Sequence, residues 1–316
     1  MLPLTTELLE RPDGELRLLA AKAIFERPSI DGAKTLAGLL NDPHLDVRVL
    51  ARVSLQKLAE QPELRETILE LALAGLQSPN WQGLEQSSHL VGDLDHKPAA
   101  PRLLELIEHE RPDVSITAAW ALSRLVVPET APVMLKFAER LTAHVPVEPE
   151  NDTPRASLSA AQDVLLSHVF QMFGLLKYAE AEPLLLKFVP RRYDLGPRSR
   201  GAAVFALGYV HAGDPNPDVA RALGQRVADA ADFPRLEPVE VRANAAIGLG
   251  RMNVPDAVEV LRAFYKNGNP GDRIREACGW ALEQITGEDL PDPATKRAVP
   301  ATPFLQPIAE PVSASP

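Results

Sequence analysis

The chain has 316 residues, a formal net charge of -10 and only 5% aromatic residues. That charge excludes an unaided, non-specific grip on nucleic acid or anionic lipid while leaving room for a local basic patch. The single cysteine, Cys278, excludes an intramolecular disulfide and the Cys and His content gives no zinc framework, while the abundance of Leu and Ala favours packed helices over sheets.

In chain order, the first stretch, MLPLTTELLERPDGE, has neither a basic flank nor a continuous apolar run, so it does not read as a signal peptide. No later segment reaches the ~18 uninterrupted apolar residues that a membrane helix needs. The expectation is a cytoplasmic protein without membrane insertion.

One spacing then recurs along the chain. Arg17 with Ile24, Arg48 with Leu55, Arg200 with Leu207, Arg242 with Leu249 and Arg275 with Leu282 each place an aliphatic residue seven positions after an Arg. Ser115 with Leu122 keeps the pattern without the Arg, and Leu84 with Val91 and His168 with Leu175 are weaker copies. Eight copies result, at a period near 32 residues interrupted by two insertions. Positions 0, +3, +4 and +7 share one helical stripe. Here that stripe is small or aliphatic, as in VEVRANAAIGLGRM from Val239 to Met252, so a neighbouring helix can approach closely and is needed for stability. Between the copies lie APRLLEL at Ala100, APVMLKF at Ala131, EPLLLKF at Glu182 and AVEVLRAF at Ala257. Each predicts a short amphipathic helix, often with Pro in the first turn, where a missing amide costs little. Two antiparallel helices per repeat follow.

The segments DVRVLARVSL at Asp46, DVSITAAWAL at Asp113, RSRGAAVFALG at Arg198, EVRANAAIGLG at Glu240 and DRIREACGWAL at Asp272 carry a family likeness. The pattern resembles the HEAT repeat, of the short HEAT-like type found in phycobilisome lyases, over residues 1–286. That resemblance implies an all-α fold: a HEAT/armadillo-like right-handed α-α superhelix of about eight two-helix repeats. It says almost nothing about activity. Within it, the periodic pairs Glu15 and Arg17, Asp46 and Arg48, and Glu240 and Arg242 read as a structural ladder tying loops to neighbouring helices.

The first insertion, from Thr142 to Leu158, carries three prolines and three acids and reads as a surface loop. The second, ADFPRLEPVE, is expected to pack locally through Phe233 and Leu236. The segment KFVPRRYDLGPRSR sets five cations, Lys187, Arg191, Arg192, Arg198 and Arg200, against Asp194 alone. An acidic partner or nucleic-acid backbone fits there, with Tyr193 as a stacking face; an ordinary interhelical loop fits as well. After Gly287 the periodicity stops, and the last thirty residues, 287–316, contain seven prolines and read as a flexible tail. In it Phe304, Leu305 and Ile308 serve either as a cap on the last repeat or as a peptide ligand for another protein.

Tests for catalysis fail. The chain has no GxxxxGK[ST] cradle, no GxGxxG opening a helix and no GxSxG elbow. Cys278 occupies a small-residue packing position, where a buried and inert thiol is expected. The seven histidines are scattered, and only His109 and Glu110 match the His-Glu pairs with which the HEAT-like deoxyhypusine hydroxylases hold two irons. No metal and no cofactor is expected.

One pattern exceeds architecture. Five residues after each reference position, about 140° around the helix and off the core stripe, stand Lys22, Val53, His89, Trp120, Phe173, Phe205, Ile247 and Trp280. Four of these eight are Trp or Phe. They form either a partner-binding stripe, with Trp120, Phe173, Phe205 and Trp280 as anchors, or contacts between neighbouring repeats. The first reading is a non-enzymatic scaffold binding another protein along the concave second-helix surface, with Arg191, Arg192 and Tyr193 as an accessory contact. The alternatives are a lyase-like or chaperone subunit acting on a cofactor-bearing protein, and nucleic-acid binding through the loop near Arg191.

Overall fold

A computed structural model describes residues 7–146, 157–192, 194–230, 236–267 and 272–290, and all regular structure among them is helical. The chain divides into two compact units, Met1–Val210 and His211–Pro316. The first contains α1 (Gly14–Phe25), α2 (Ile30–Gly38), α3 (Leu45–Leu58), α4 (Pro62–Gly75), α5 (Trp81–Asp93) and α6 (Ala100–Leu106). It continues with α7 (Pro112–Leu125), α8 (Ala131–Leu141), α9 (Ala160–Leu175), α10 (Glu182–Leu186) and α11 (Pro197–Val210). The second unit contains α12 (Pro217–Ala228), α13 (Val239–Met252), α14 (Val258–Asn267) and α15 (Arg273–Thr286).

The eight repeated segments are the eight odd-numbered helices. In the first unit α1, α3, α5, α7, α9 and α11 pack each upon the next, and α2, α4, α6, α8 and α10 pack against the odd-numbered helix that follows them. In the second unit α13 packs on α15, with α12 against α13 and α14 against α15. Small residues make the close approach: Ala20, Ala21, Ala51, Ala118, Ala119, Ala245 and Ala246 are all fully buried. Because these stripes hold little apolar area per helix, each needs its neighbour, the condition that makes repeat arrays stack.

The repeated Arg is a helix cap. Arg17 donates to the carbonyls of Arg11 and Pro12, both at 2.8 Å, and bidentately to Asp42 at 2.7 and 2.8 Å. Arg48 reaches the Asp42 and Pro43 carbonyls. Arg200 reaches those of Phe188, Val189 and Pro190. Arg242 reaches Val227 twice, and Arg275 reaches Tyr265. These carbonyls end or follow the preceding helix or turn, where main-chain acceptors have no intrahelical partner and a cation is favoured. The ladder therefore runs from Arg to backbone, not from Arg to the acid two residues before it. Burial pushes the Asp42 carboxyl up, but the hydrogen bonds and charge of Arg17 together with the His44 amide outweigh it and hold the group below the usual carboxylate range.

The backbone corrects one register. Asp95, Val126 and Asn253 adopt left-handed conformations with φ of 52°, 49° and 55°, each eleven residues after its reference at Leu84, Ser115 and Arg242. Lys177 is the fourth, at φ 50°. Eleven residues back from it is Leu166, not His168. The weak copy is thus shifted by two, its core position +7 is Phe173, and its position +5 is the exposed Gln171. Phe173 is fully buried against Phe170 and Tyr178, so it is no surface anchor.

Of the second insertion, Leu236 is 50% exposed and does not pack locally, while Phe233 lies outside the described residues. Glu237 beside it is buried and pairs with Arg226 at 2.8 Å. Phe304, Leu305 and Ile308 also lie outside the described residues. Cys278 is buried, and burial pushes its thiol up to about 12.

Candidate functional site

Within the first unit the corrected +5 positions are Lys22, Val53, His89, Trp120, Gln171 and Phe205. Val53 is 45% exposed, Lys22 and Gln171 are exposed, and His89, Trp120 and Phe205 are half-buried. In the second unit they are Ile247, half-buried, and Trp280, 36% exposed. The face is real, yet each aromatic also serves the stack. Trp120 overlies Gly92 of the preceding repeat, Phe205 overlies Gly174 and Trp280 overlies Gly250. A Cβ on those glycines would meet the ring atoms at 2.7, 3.3 and 3.0 Å. The glycine stands at +8 in each case, and the pairing of Gly at +8 with an aromatic at +5 of the next repeat was a detectable sequence signal that the register error at His168 concealed.

Neighbours complete this face. The His89 and Trp120 rings lie 4.8 Å apart, Phe205 and Tyr209 4.7 Å apart, and the Arg251 guanidinium sits 5.7 Å from the Trp280 ring. Burial, with help from the Arg52 charge, lowers His89 to about 4, so it is a neutral ring at physiological pH. Arg52 itself bonds Gln86 at 3.0 Å and Asp93 at 3.0 Å across to α5.

The basic loop is less basic than its composition. Arg192, expected as a surface contact, has a fully buried side chain that donates to Asp194 at 2.8 and 2.6 Å and to the Pro146 carbonyl at 2.7 Å. Asp194 also accepts from the Ser157 hydroxyl at 2.7 Å, and His144 meets the Ser157 carbonyl at 2.8 Å. The two described ends of the first insertion are thereby tied to this loop. The Arg192 hydrogen bonds hold Asp194 below the usual carboxylate range. Arg200 is buried as a ladder rung, leaving Lys187 and Arg191 half-buried and Arg198 exposed. Tyr193 lies outside the described residues.

Among the described residues no group of three or more His, Cys, Asp or Glu is placed to hold a metal, and no helix is long and apolar enough to cross a membrane.

A family profile described as HEAT repeats matches residues 233–301. No curated protein matches the sequence. Among solved structures, the Kap95:Nup1 complex is similar at a TM-score of 0.56 and 16% identity, over 89% of this chain and 41% of that one. The complex of CpcE and CpcF of phycocyanin lyase from Nostoc sp. PCC7120 is similar at 0.47 and 16%, over 82% of this chain and 95% of that one. Human deoxyhypusine hydroxylase in complex with glycerol follows at 0.30 and 18%, over 85% and 99%. Residues 233–301 match HEAT repeats, and the described residues have the helical-repeat fold of the HEAT/armadillo-like solenoids.

Proposed function

We propose that the protein is a non-enzymatic scaffold that binds another protein along the +5 face of its odd-numbered helices, the inner face in a HEAT superhelix. One observation carries this reading: large apolar side chains, Trp120, Phe205 and Trp280 with Val53 and Ile247, recur at a position that is exposed or half-exposed in every repeat. Aromatics held in place on one side by a glycine of the preceding repeat are rigid on the other, so they contribute contact area at low entropic cost. The Kap95:Nup1 likeness is to a complex of proteins and supports the same reading at the level of fold. Recognition is by shape over an extended surface, without bond-making. The binding region lies in residues 1–286, followed by 287–316 as a tail, and the setting is cytoplasmic.

Burial of Arg192 and Arg200 counts against nucleic acid at the 187–200 loop. Site-specific photo-crosslinking tests the proposal. A crosslinker at the exposed positions Val53 or Gln171 captures one recurrent protein, whereas the same group at Lys136 on α8 does not. Equal capture at Lys136 sinks the reading. A chromophore carried by the captured protein replaces it with the lyase-like or chaperone role.

A further inference from the structure

The Arg ladder is broken at Leu84, Ser115 and Leu166. At Leu84 and Leu166 an aliphatic side chain fills the place, 5% and 0% exposed. At Ser115 the side chain is too short to reach as far, although the residue itself is buried, 7% exposed. The hydroxyl turns to the Pro112 carbonyl at 3.2 Å, and beside it opens a cavity of about 730 Å³ lined by Glu108, His109, Glu110, Phe137, Gln162 and Leu165 among others.

We infer that this gap is a receptor for the guanidinium group of an arginine side chain presented by a partner protein. The helix start and the backbone acceptors of an Arg rung are present without the Arg. α1, α3 and α7 each begin three residues before their reference, at Gly14, Leu45 and Pro112. Arg17 and Arg48 bond the carbonyls six and five residues before them, Arg11 with Pro12 and Asp42 with Pro43. The counterparts before Ser115 are the carbonyls of His109 and Glu110, two residues that line the cavity. Among the described residues neither receives a hydrogen bond. One rung also carries an aromatic lid at a spacing that Ser115 shares. Phe264, 22 residues after Arg242, lies 4.7 Å from its guanidinium, and Phe137, 22 residues after Ser115, lines the cavity.

Charge favours a cation. Glu108 and Glu110 face the site with His109, whose Nδ1 accepts from the Arg111 amide at 3.1 Å. The opposing charge is Arg140, which pairs with Glu108 at 2.6 Å and stands 6.0 Å from the Phe137 ring. Its side chain lines the same cavity and is 63% exposed, which places it toward the solvent rim. A guanidinium suits the place better than an ammonium because its planar fork can reach both carbonyls while its face lies on the ring.

This inference rests on the protein-binding reading only for the source of the arginine. A small probe tests it without any partner, so its failure and that of the aromatic face are distinguishable. The probe is N-acetyl-arginine N-methylamide, titrated into the full chain and followed by NMR. Saturable shifts at residues 107–115 and 137–141 with a Kd of about 1–10 mM are expected, with the neutral citrulline analogue weaker by about tenfold. Ser115→Arg supplies the missing rung and abolishes the shifts. Glu108→Gln and Glu110→Gln form a second arm that does not depend on how the new Arg seats, each weakening binding several-fold. Equal affinity for arginine and citrulline probes, or binding retained in Ser115→Arg, overturns the inference.

Discussion

Trp120 lies over the backbone of Gly92 one repeat earlier, so close that a Cβ at Gly92 would stand 2.7 Å from the indole Cζ3. The same relationship joins Phe205 to Gly174 and Trp280 to Gly250. The aromatic residues of the candidate face are therefore seated by the stack, with one part of the ring on a neighbour's main chain and the other outward.

Gly92→Ala should destabilise the protein by about 1–3 kcal/mol, although alanine is the better helix former, because the indole and the Ala121 Cα, at 3.2 Å, must both give way. Adding Trp120→Ala should recover part of the loss, since the flexible half of the clash is removed and the backbone half remains. Urea unfolding of the single and double variants measures this. Full additivity would mean that the two residues do not share the contact.

Removing a rung should cost far more than removing its acid. Arg200→Met leaves the carbonyls of Phe188, Val189 and Pro190 without that donor, and a loss of about 2–4 kcal/mol is expected. Glu240→Gln, at an acid position where no cap depends on the carboxylate, should stay within about 0.5 kcal/mol. Thermal and urea denaturation of the two variants give the comparison.

The Arg192 charge is enclosed in the 187–200 loop, and Asp194 answers it. Asp194→Asn should cost about 3 kcal/mol, because an amide leaves a buried guanidinium uncompensated. A neutral result in urea unfolding would show that Pro146 and the other acceptors suffice.

Acid should weaken the fold through His89. Its folded value of about 4 lies below the ordinary 6.5, so the folded state holds fewer protons between those values than the unfolded chain. Stability is then full above about pH 6.5 and falls as pH drops towards 4, by up to about 3 kcal/mol. His168, also lowered by burial, adds to the slope in the same direction. Melting temperatures from pH 7.5 to 4.5 should decline less steeply in His89→Gln than in the unchanged chain. Parallel curves would remove His89 as the cause.

Periodicity made the architecture legible. An Arg or its substitute seven residues before an aliphatic residue, with small residues between, is a direct imprint of helical geometry, and repetition turns a weak signal into a strong one. Eight such segments are eight helices, and the repeated Arg ties neighbouring elements, though through main-chain carbonyls and not through the acid two residues before it. Its partners were not legible, since main-chain carbonyls carry no letter in a sequence.

Where the local sequence offered two answers, only packing chose. LLSHVFQMFGLL is apolar in several registers at once, so Leu166 and His168 fit the helical period equally well as the reference; the close seat of Gly174 on Ala206 and the left-handed Lys177 select Leu166 and bury Phe173. Composition showed five cations around Arg191, but the fate of Arg192 depended on Pro146 and on the Asp194 that Ser157 holds, groups brought from 46 and 37 residues away in the chain. The missing Arg at Ser115 was visible as a letter. That its absence goes with a cavity, where Leu84 and Leu166 are aliphatic side chains buried in place, was decided by side-chain volume meeting three-dimensional packing.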